Sequence, residues 1–95
     1  MIYKIFSVYD SKAQIYTNPF YQHNQQMAMR TFSDAINHPE HQFARNPEDY
    51  TLFEVGVFDD EHCEITMLTT PLPLGLAIEY ASKGARQPEL KLAQE

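Results

Sequence analysis

The side chains able to do chemistry fall into three groups along the sequence. His38, Glu40 and His41 form the run HPEH. Histidines three apart on a helix can share a metal face, but zinc asks for three or four ligands, and the only thiol, Cys63, stands elsewhere with no second ligand marked. The run FDDEHCE, residues 58–64, gathers polar groups without the alternating ligands and distal bidentate glutamate of a calcium loop. Asp49 has no carboxylate partner that can be placed beside it for acid–base work. No glycine-rich phosphate loop, GxSxG, HExxH or paired-thiol motif occurs. Cys63 alternates with apolar residues and reads as a small buried hydrophobe rather than a nucleophile. The expectation is a protein with no enzymatic activity, no metal and no cofactor.

The third group is aromatic and basic. Single-stranded nucleic acid is held by cationic grooves with rings on which bases stack. Tyr3 with Lys4, Tyr9 with Lys12, and Tyr16 with Tyr21 bring rings and cations together near the N-terminus. Arg30 and Arg45 follow downstream. The candidate nucleic-acid-binding set is therefore Lys4, Lys12, Arg30, Arg45, Tyr9, Tyr16 and Tyr21. Composition opposes it: 7 basic against 13 acidic residues give a net charge of −6, which raises the cost of approaching phosphate. The same rings can fill a small core while scattered cations keep an acidic chain in solution. An acidic module that meets a basic protein is the competing reading.

These residues need elements to position them. Ile2 to Tyr9 is β-branched and aromatic on both faces and reads as a central strand. A turn at residues 10–12 leads to a short strand over Gln14 to Thr17, which Asn18-Pro19 ends, since proline has no N–H for a ladder. Asn24 is a good N-cap for a helix over Gln25 to Asn37, with Ala28, Met29, Phe32, Ala35 and Ile36 on its apolar side and Arg30, Asp34 and Gln26 opposite. Asn37 in a left-handed conformation and Pro39 stop it. Pro39 is expected to open a second short helix that runs through Phe43.

From Tyr50 to Phe58 the residues alternate, with Thr51, Phe53, Val55 and Val57 on one face and Leu52, Glu54, Gly56 and Phe58 on the other. Residues 59–62 form a polar turn. Cys63 to Thr69 alternates again, which makes a β-hairpin. Pro71, Pro73 and Gly75 exclude regular structure after it, yet Leu72, Leu74, Leu76, Ile78 and Tyr80 are too apolar for a solvated linker.

At 95 residues, 43% of them hydrophobic and 13% aromatic, the chain suits one domain with a thin core. The fold expected is α+β: an antiparallel sheet of about four strands, one main amphipathic helix on a face, and an apolar C-terminal segment. The domain covers residues 1–82, and 83–95 form a polar tail. One cysteine allows no internal disulfide and fits a reducing compartment. The apolar start is too short for a secretion signal and is broken by Lys4. No stretch has the length of a membrane span, and no membrane partner is expected. One helix cannot cover both apolar faces of a sheet, so a homodimer or larger homo-oligomer is expected.

Taken in order, IFSVYDSKAQIYTNPF at 5–20, AMRTFSDAIN at 28–37 and NPEDYTLFEVGVFDDEHCEI at 46–65 resemble the small nonstructural protein of gokushoviruses, tailless Microviridae phages with single-stranded DNA genomes. The resemblance covers roughly residues 2–65 and the Pro-Leu-rich stretch that follows. It implies a nonenzymatic early protein in the host bacterial cytoplasm, one that binds single-stranded DNA and promotes synthesis or packaging of the viral single strand. It implies no catalytic residue. A replication initiator or host replication enzyme is the protein partner the alternative would require. The matching positions are Asp10, Pro19, Phe20, Arg30, Phe32, Pro47, Asp49, Tyr50, Leu52, Phe53, Gly56, Phe58 and Asp59. Of these, Phe20, Phe32 and Phe53 look like core, Gly56 stands where a side chain would clash, and Arg30 is the cation without a packing role.

Overall fold

The computed structural model describes residues 1–85. Strand β1, Ile2–Asp10, is the centre of an antiparallel sheet. On one side it pairs with β2, Ile15–Tyr16, and then with β3, Phe20–Gln22. On the other it pairs with β4, Tyr50–Asp59, which pairs with the edge strand β5, Glu64–Leu76. Among the described residues there are also three α-helices, α1, Gln25–Ile36, α2, Gln42–Arg45, and α3, Ala77–Ala85, and a 3-10 turn at Pro47–Asp49 before β4. The architecture is the expected α+β one.

Helix α1 forms as its sequence dictates. The Asn24 side chain accepts from the Met27 N–H at 2.9 Å, which satisfies one exposed donor of the first turn. Its apolar stripe, Ala28, Phe32 and Ile36, is buried against the sheet. Asn37 ends the helix at φ −80°, not in the left-handed conformation expected, because its N–H still reaches Ser33 and Asp34. Helix α2 starts at Gln42 rather than Pro39. His41 caps it, its Nδ1 accepting from the Phe43 N–H at 3.1 Å.

The core lies between the helices and one face of the sheet. Phe6, Val8, Leu52 and Tyr50 rise from the sheet to meet Ala28, Phe32, Ile36, Phe43 and Ala77. Rings carry much of it. Phe43 lies 4.7 Å from Tyr50 and 5.6 Å from Phe32, and Tyr80 of α3 packs edge-on to Phe32 at 5.1 Å. Each fully buried Phe or Leu contributes about 1.5–3 kcal/mol, and favourable ring pairs about 0.5–1.5 kcal/mol more.

Register decides which residues face away from the helices. Residues paired across an antiparallel sheet share a face. Phe6 pairs with Glu54, but Ile5 pairs with Gly56, so Val55 is an extra residue, a bulge. The bulge reverses the alternation of β4. Thr51 and Phe53 share the outer face with Gly56 and Phe58, while Val57 moves to the helix side opposite Lys4. The uninterrupted alternation expected for residues 50–58 is therefore corrected at Val55.

Other expectations about the second half also change. Strand β5 continues through Pro71, Pro73 and Gly75 to Leu76. It tolerates the prolines because it is the sheet edge, where a missing N–H costs no ladder bond on the open side. Cys63 is exposed, with φ +52°, in the hairpin turn and not in a strand or a core. The segment after β5 forms α3, held by Tyr80, whose hydroxyl donates to the Leu74 carbonyl at 2.8 Å. Pro19 interrupts pairing as expected, but β3 resumes it at Phe20, directly after the proline. Of the expected tail 83–95, residues 83–85 end α3 and the remainder lies outside the described residues.

Candidate functional site

The helices cover one side of the sheet; among the described residues no helix covers the other side, where Ile5 and Ser7 at the centre are nevertheless buried and the rings toward the two ends are partly exposed. Tyr3, Ile5, Ser7 and Tyr9 alternate onto that face from β1. Register adds Tyr16 and Tyr21 from the β2–β3 side, Phe53 and Phe58 from β4, and Ile65 and Met67 from β5. No charged side chain occurs among them. Tyr16 is 46% exposed, Tyr21 45%, Ile65 57% and Met67 62%.

At one end of this face three rings form a cluster. Tyr9 and Tyr16 pair across β1 and β2 with centroids 4.8 Å apart. Phe53 stands edge-on to Tyr16 at 5.7 Å and to Tyr9 at 6.5 Å. The strands hold these rings rigidly. The Ser7 hydroxyl donates to the Thr17 carbonyl at 2.7 Å, the Thr17 N–H donates to Val8 at 2.8 Å, and the Val8 N–H donates to the Thr17 hydroxyl at 3.1 Å. Lys12 is exposed on the turn joining β1 to β2, where the Asp10 carboxylate accepts from its backbone N–H.

Beside Tyr16 a groove of about 320 Å³ runs between Thr17 and Pro19 on one wall and Val55, Met67 and Leu68 on the other. Its walls are almost wholly apolar. The Ser7 and Thr17 hydroxyls that border it are engaged with backbone, so the groove offers surfaces to pack on and few groups to read a ligand's edge. A second concavity, about 330 Å³, lies at the other end between Tyr3, Tyr21, Phe58 and Asp60. There Tyr21 meets Phe58 edge-on at 5.9 Å.

The structure brings Tyr9 and Tyr16 together, places Lys12 on the turn that joins their strands, and separates the other candidates from them. Tyr21 is on the same face but at the far end. Lys4 points to the helix side, where its Nζ sits 3.0 Å from Glu54, a carboxylate with 6% of its side chain exposed. Gln25 of α1 donates to the other oxygen of Glu54 at 2.7 Å. Arg30 is exposed on the outer surface of α1, and Arg45, in α2, donates to the Glu40 carbonyl at 3.0 Å. Both arginines belong to the helix layer, opposite the rings.

Phe53 and the groove were not legible as part of a site. The bulge that places Phe53 and Val55 there leaves no mark in composition or spacing.

Among the described residues, the ligand-type side chains that converge are Asp59, Glu61 and His62 at the β4–β5 turn. Turn structure accounts for them. His62 Nδ1 lies 2.8 Å from Asp59, and the Glu61 N–H donates to the same carboxylate. These bonds, His62 first, hold the Asp59 pKa below the usual carboxylate value. The N-terminal ammonium donates to Asp60 at 2.7 Å, and this bond raises the pKa of the amine. His41 of the HPEH run is the α2 cap, its ring against Phe43 at 4.4 Å.

Among the described residues, no helix is long and apolar enough to cross a membrane. No curated protein and no solved structure matches the chain. A family model described as Phage ORF5 protein matches residues 3–80, a span that takes in β1, the ring cluster, the hairpin and the start of α3. The chain belongs to the Phage ORF5 protein family.

Proposed function

We propose that this phage protein is a nonenzymatic accessory factor that binds single-stranded DNA on the open, ring-lined face of its sheet. In the host bacterial cytoplasm it would promote synthesis or packaging of a single-stranded viral genome. The observation that carries this reading is the Tyr9–Tyr16–Phe53 cluster on the side of the sheet away from the helices, where Tyr16 is 46% exposed. Unpaired bases can stack on such rings, at about 1–3 kcal/mol per base, whatever the sequence. The occupied hydroxyls around the groove fit that tolerance, because they leave little to read base edges.

The location of the cations sets the kind of binding. Lys12 alone of the four candidate cations stands at the ring end. A single strand that engaged Lys4, Lys12, Arg30 and Arg45 together would show a log–log salt slope near −3, at about −0.7 per phosphate. The ring face predicts about −1. Fluorescence anisotropy of a labelled oligothymidylate tests this. Tyr16→Ala is expected to weaken binding about tenfold, and a duplex of equal length, whose bases are already stacked, is expected to bind far less. Equal affinity for duplex and single strand, or an unaffected Tyr16→Ala variant, removes the reading.

A second reading has an observation of its own. The hairpin end is acidic, with exposed Asp60, Glu61 and Glu64 beside the partly exposed Asp59, and it borders the Tyr3–Tyr21–Phe58 concavity. Such a surface suits a basic protein, a replication initiator or a host replication enzyme. Absence of oligonucleotide binding even at low salt would favour that partner over DNA.

A further inference from the structure

The edge of the sheet has two unlike halves. Along Pro71–Gly75, β5 carries two prolines, and between its pairings at Met67 and Leu72 it bulges, with residues 68–71 facing Val55 alone. Prolines and bulges both deter edge pairing. From Glu64 to Met67 none of these devices occurs. That stretch pairs residue by residue with β4 on one side and is exposed on both faces. After Glu64 it is uncharged, reading ITMLTT to residue 70. Among the described residues nothing pairs with this side of β5, and an apolar edge of this kind is a template for another strand.

We propose that residues 65–67 of β5 pair antiparallel with the same residues of a second copy, about a two-fold axis normal to the sheet, giving one sheet through both protomers. Three features favour a second copy as the occupant. First, a two-fold normal to the sheet preserves faces, so only registers that pair residues of like parity are allowed. Centring on Thr66 sets Thr66 against the partner's Thr66. It also sets Ile65 against the partner's Met67, both on the outer face where they are now 57% and 62% exposed. Both are favourable cross-strand pairs.

Second, charge permits it. Glu64 is the only charged residue in β5, and this register sets it against the partner's Leu68. The acidic turn then lies beside the partner's residues 69–71, Thr-Thr-Pro. Two chains of net charge −6 meet here without opposing carboxylates. Third, the size of the contact is consistent. Three paired residues a side, with two half-exposed apolar side chains each, fall below the roughly 1,000 Å² expected of a stable interface. The dimer is therefore weak and forms as the protein accumulates. It goes beyond the nucleic-acid reading and stands without it. If both hold, the two ring clusters share one continuous face.

Sedimentation of the full chain over a concentration series reads the dimer directly. The expected result is a monomer–dimer equilibrium, shifted at least tenfold toward monomer by Met67→Lys, with an unchanged thermal melt because Met67 is exposed. A second measurement reads the register. In a Cys63→Ser, Thr66→Cys chain, a short bis-maleimide, which adds one cysteine thiol at each end, should join two chains at the symmetry axis. The same linker at Glu48→Cys, exposed in the turn before β4, should not. A chain monomeric at about 1 mM, or a dimer that ignores Met67→Lys and fails to link through residue 66, overturns the proposal. The monomeric result would leave the edge to a strand of a different protein.

Discussion

At the scale of single residues, the four candidate cations divide into Lys12, on the turn next to the ring cluster, and three on the helix side of the sheet. Lys4 neutralises Glu54, which with Gln25 ties β1, β4 and α1 together at one point. Removing Lys4 leaves a buried carboxylate with only an amide partner. Lys4→Ala is expected to cost about 1–3 kcal/mol, the lower part of the range for a broken buried pair because Lys4 is itself 36% exposed. A melt should fall by about 5–15 °C, with oligonucleotide affinity per folded molecule unchanged. Lys12→Ala should do the reverse, with stability kept and the salt slope reduced.

Tyr50 supplies a pH signature. It is 6% exposed, packed on Phe43, and burial first, then the charges of Asp10 and Asp49, raise its pKa above the ordinary 10.0. The folded chain therefore ionises this phenol later than the unfolded chain. Its contribution is intact below pH 10 and is lost as pH rises through the folded value. Denaturant midpoints should hold to about pH 9.5 and then fall, and Tyr50→Phe should flatten part of that fall. A midpoint insensitive to alkali, or a decline identical in Tyr50→Phe, contradicts this assignment.

At the scale of elements, the β4–β5 hairpin depends on close approach. A Cβ on Gly56 would lie 2.6 Å from the Thr66 carbonyl oxygen, a backbone atom unable to move aside cheaply. Gly56→Ala is expected to destabilise by about 1–3 kcal/mol and to raise amide exchange across residues 64–67 more than in α1. Uniform exchange with no loss of stability would mean that the hairpin absorbs the methyl group. The sequence made Gly56 suspect through a family resemblance, and the structure supplies the atom that it would meet.

Legibility varied from element to element for physical reasons. Helix α1 was readable because its cap and apolar stripe are local and nothing tertiary opposes them. The face assignment of β4 was not, since a bulge is set by pairing with β1 and β5 and not by the residues of β4 alone. Prolines argue against a strand only where both edges are paired, so β5 read as irregular until its place at the sheet edge was known. Helix α3 is as amphipathic as α1, but the prolines and glycine just before it read as irregular chain; Tyr80 holds it against Phe32 and Leu74. Cys63 looked buried by alternation; its positive φ marks a turn that alternation does not encode.

At the scale of the whole molecule, helices cover one face of a sheet and leave the other ring-lined and uncharged. The tyrosines of this face were visible as a class from composition and order. Their gathering was not, because it requires the pairing of Tyr9 with Tyr16 and the bulge that turns Phe53 toward them. The same register sends Lys4 to the far side, which leaves the ring-lined face without the basic groove expected. A chain of net charge −6 would then bind single strands through its rings, with low salt sensitivity, and an edge-paired dimer would double that surface.

The measurement that tests this account most directly is the affinity of the purified chain for a labelled oligothymidylate at several salt concentrations, with Tyr16→Ala alongside. The account predicts saturable binding with a log–log salt slope near −1 and a loss of about tenfold on removing the Tyr16 ring. No binding at low salt, or binding with a slope near −3 that ignores Tyr16, would contradict it.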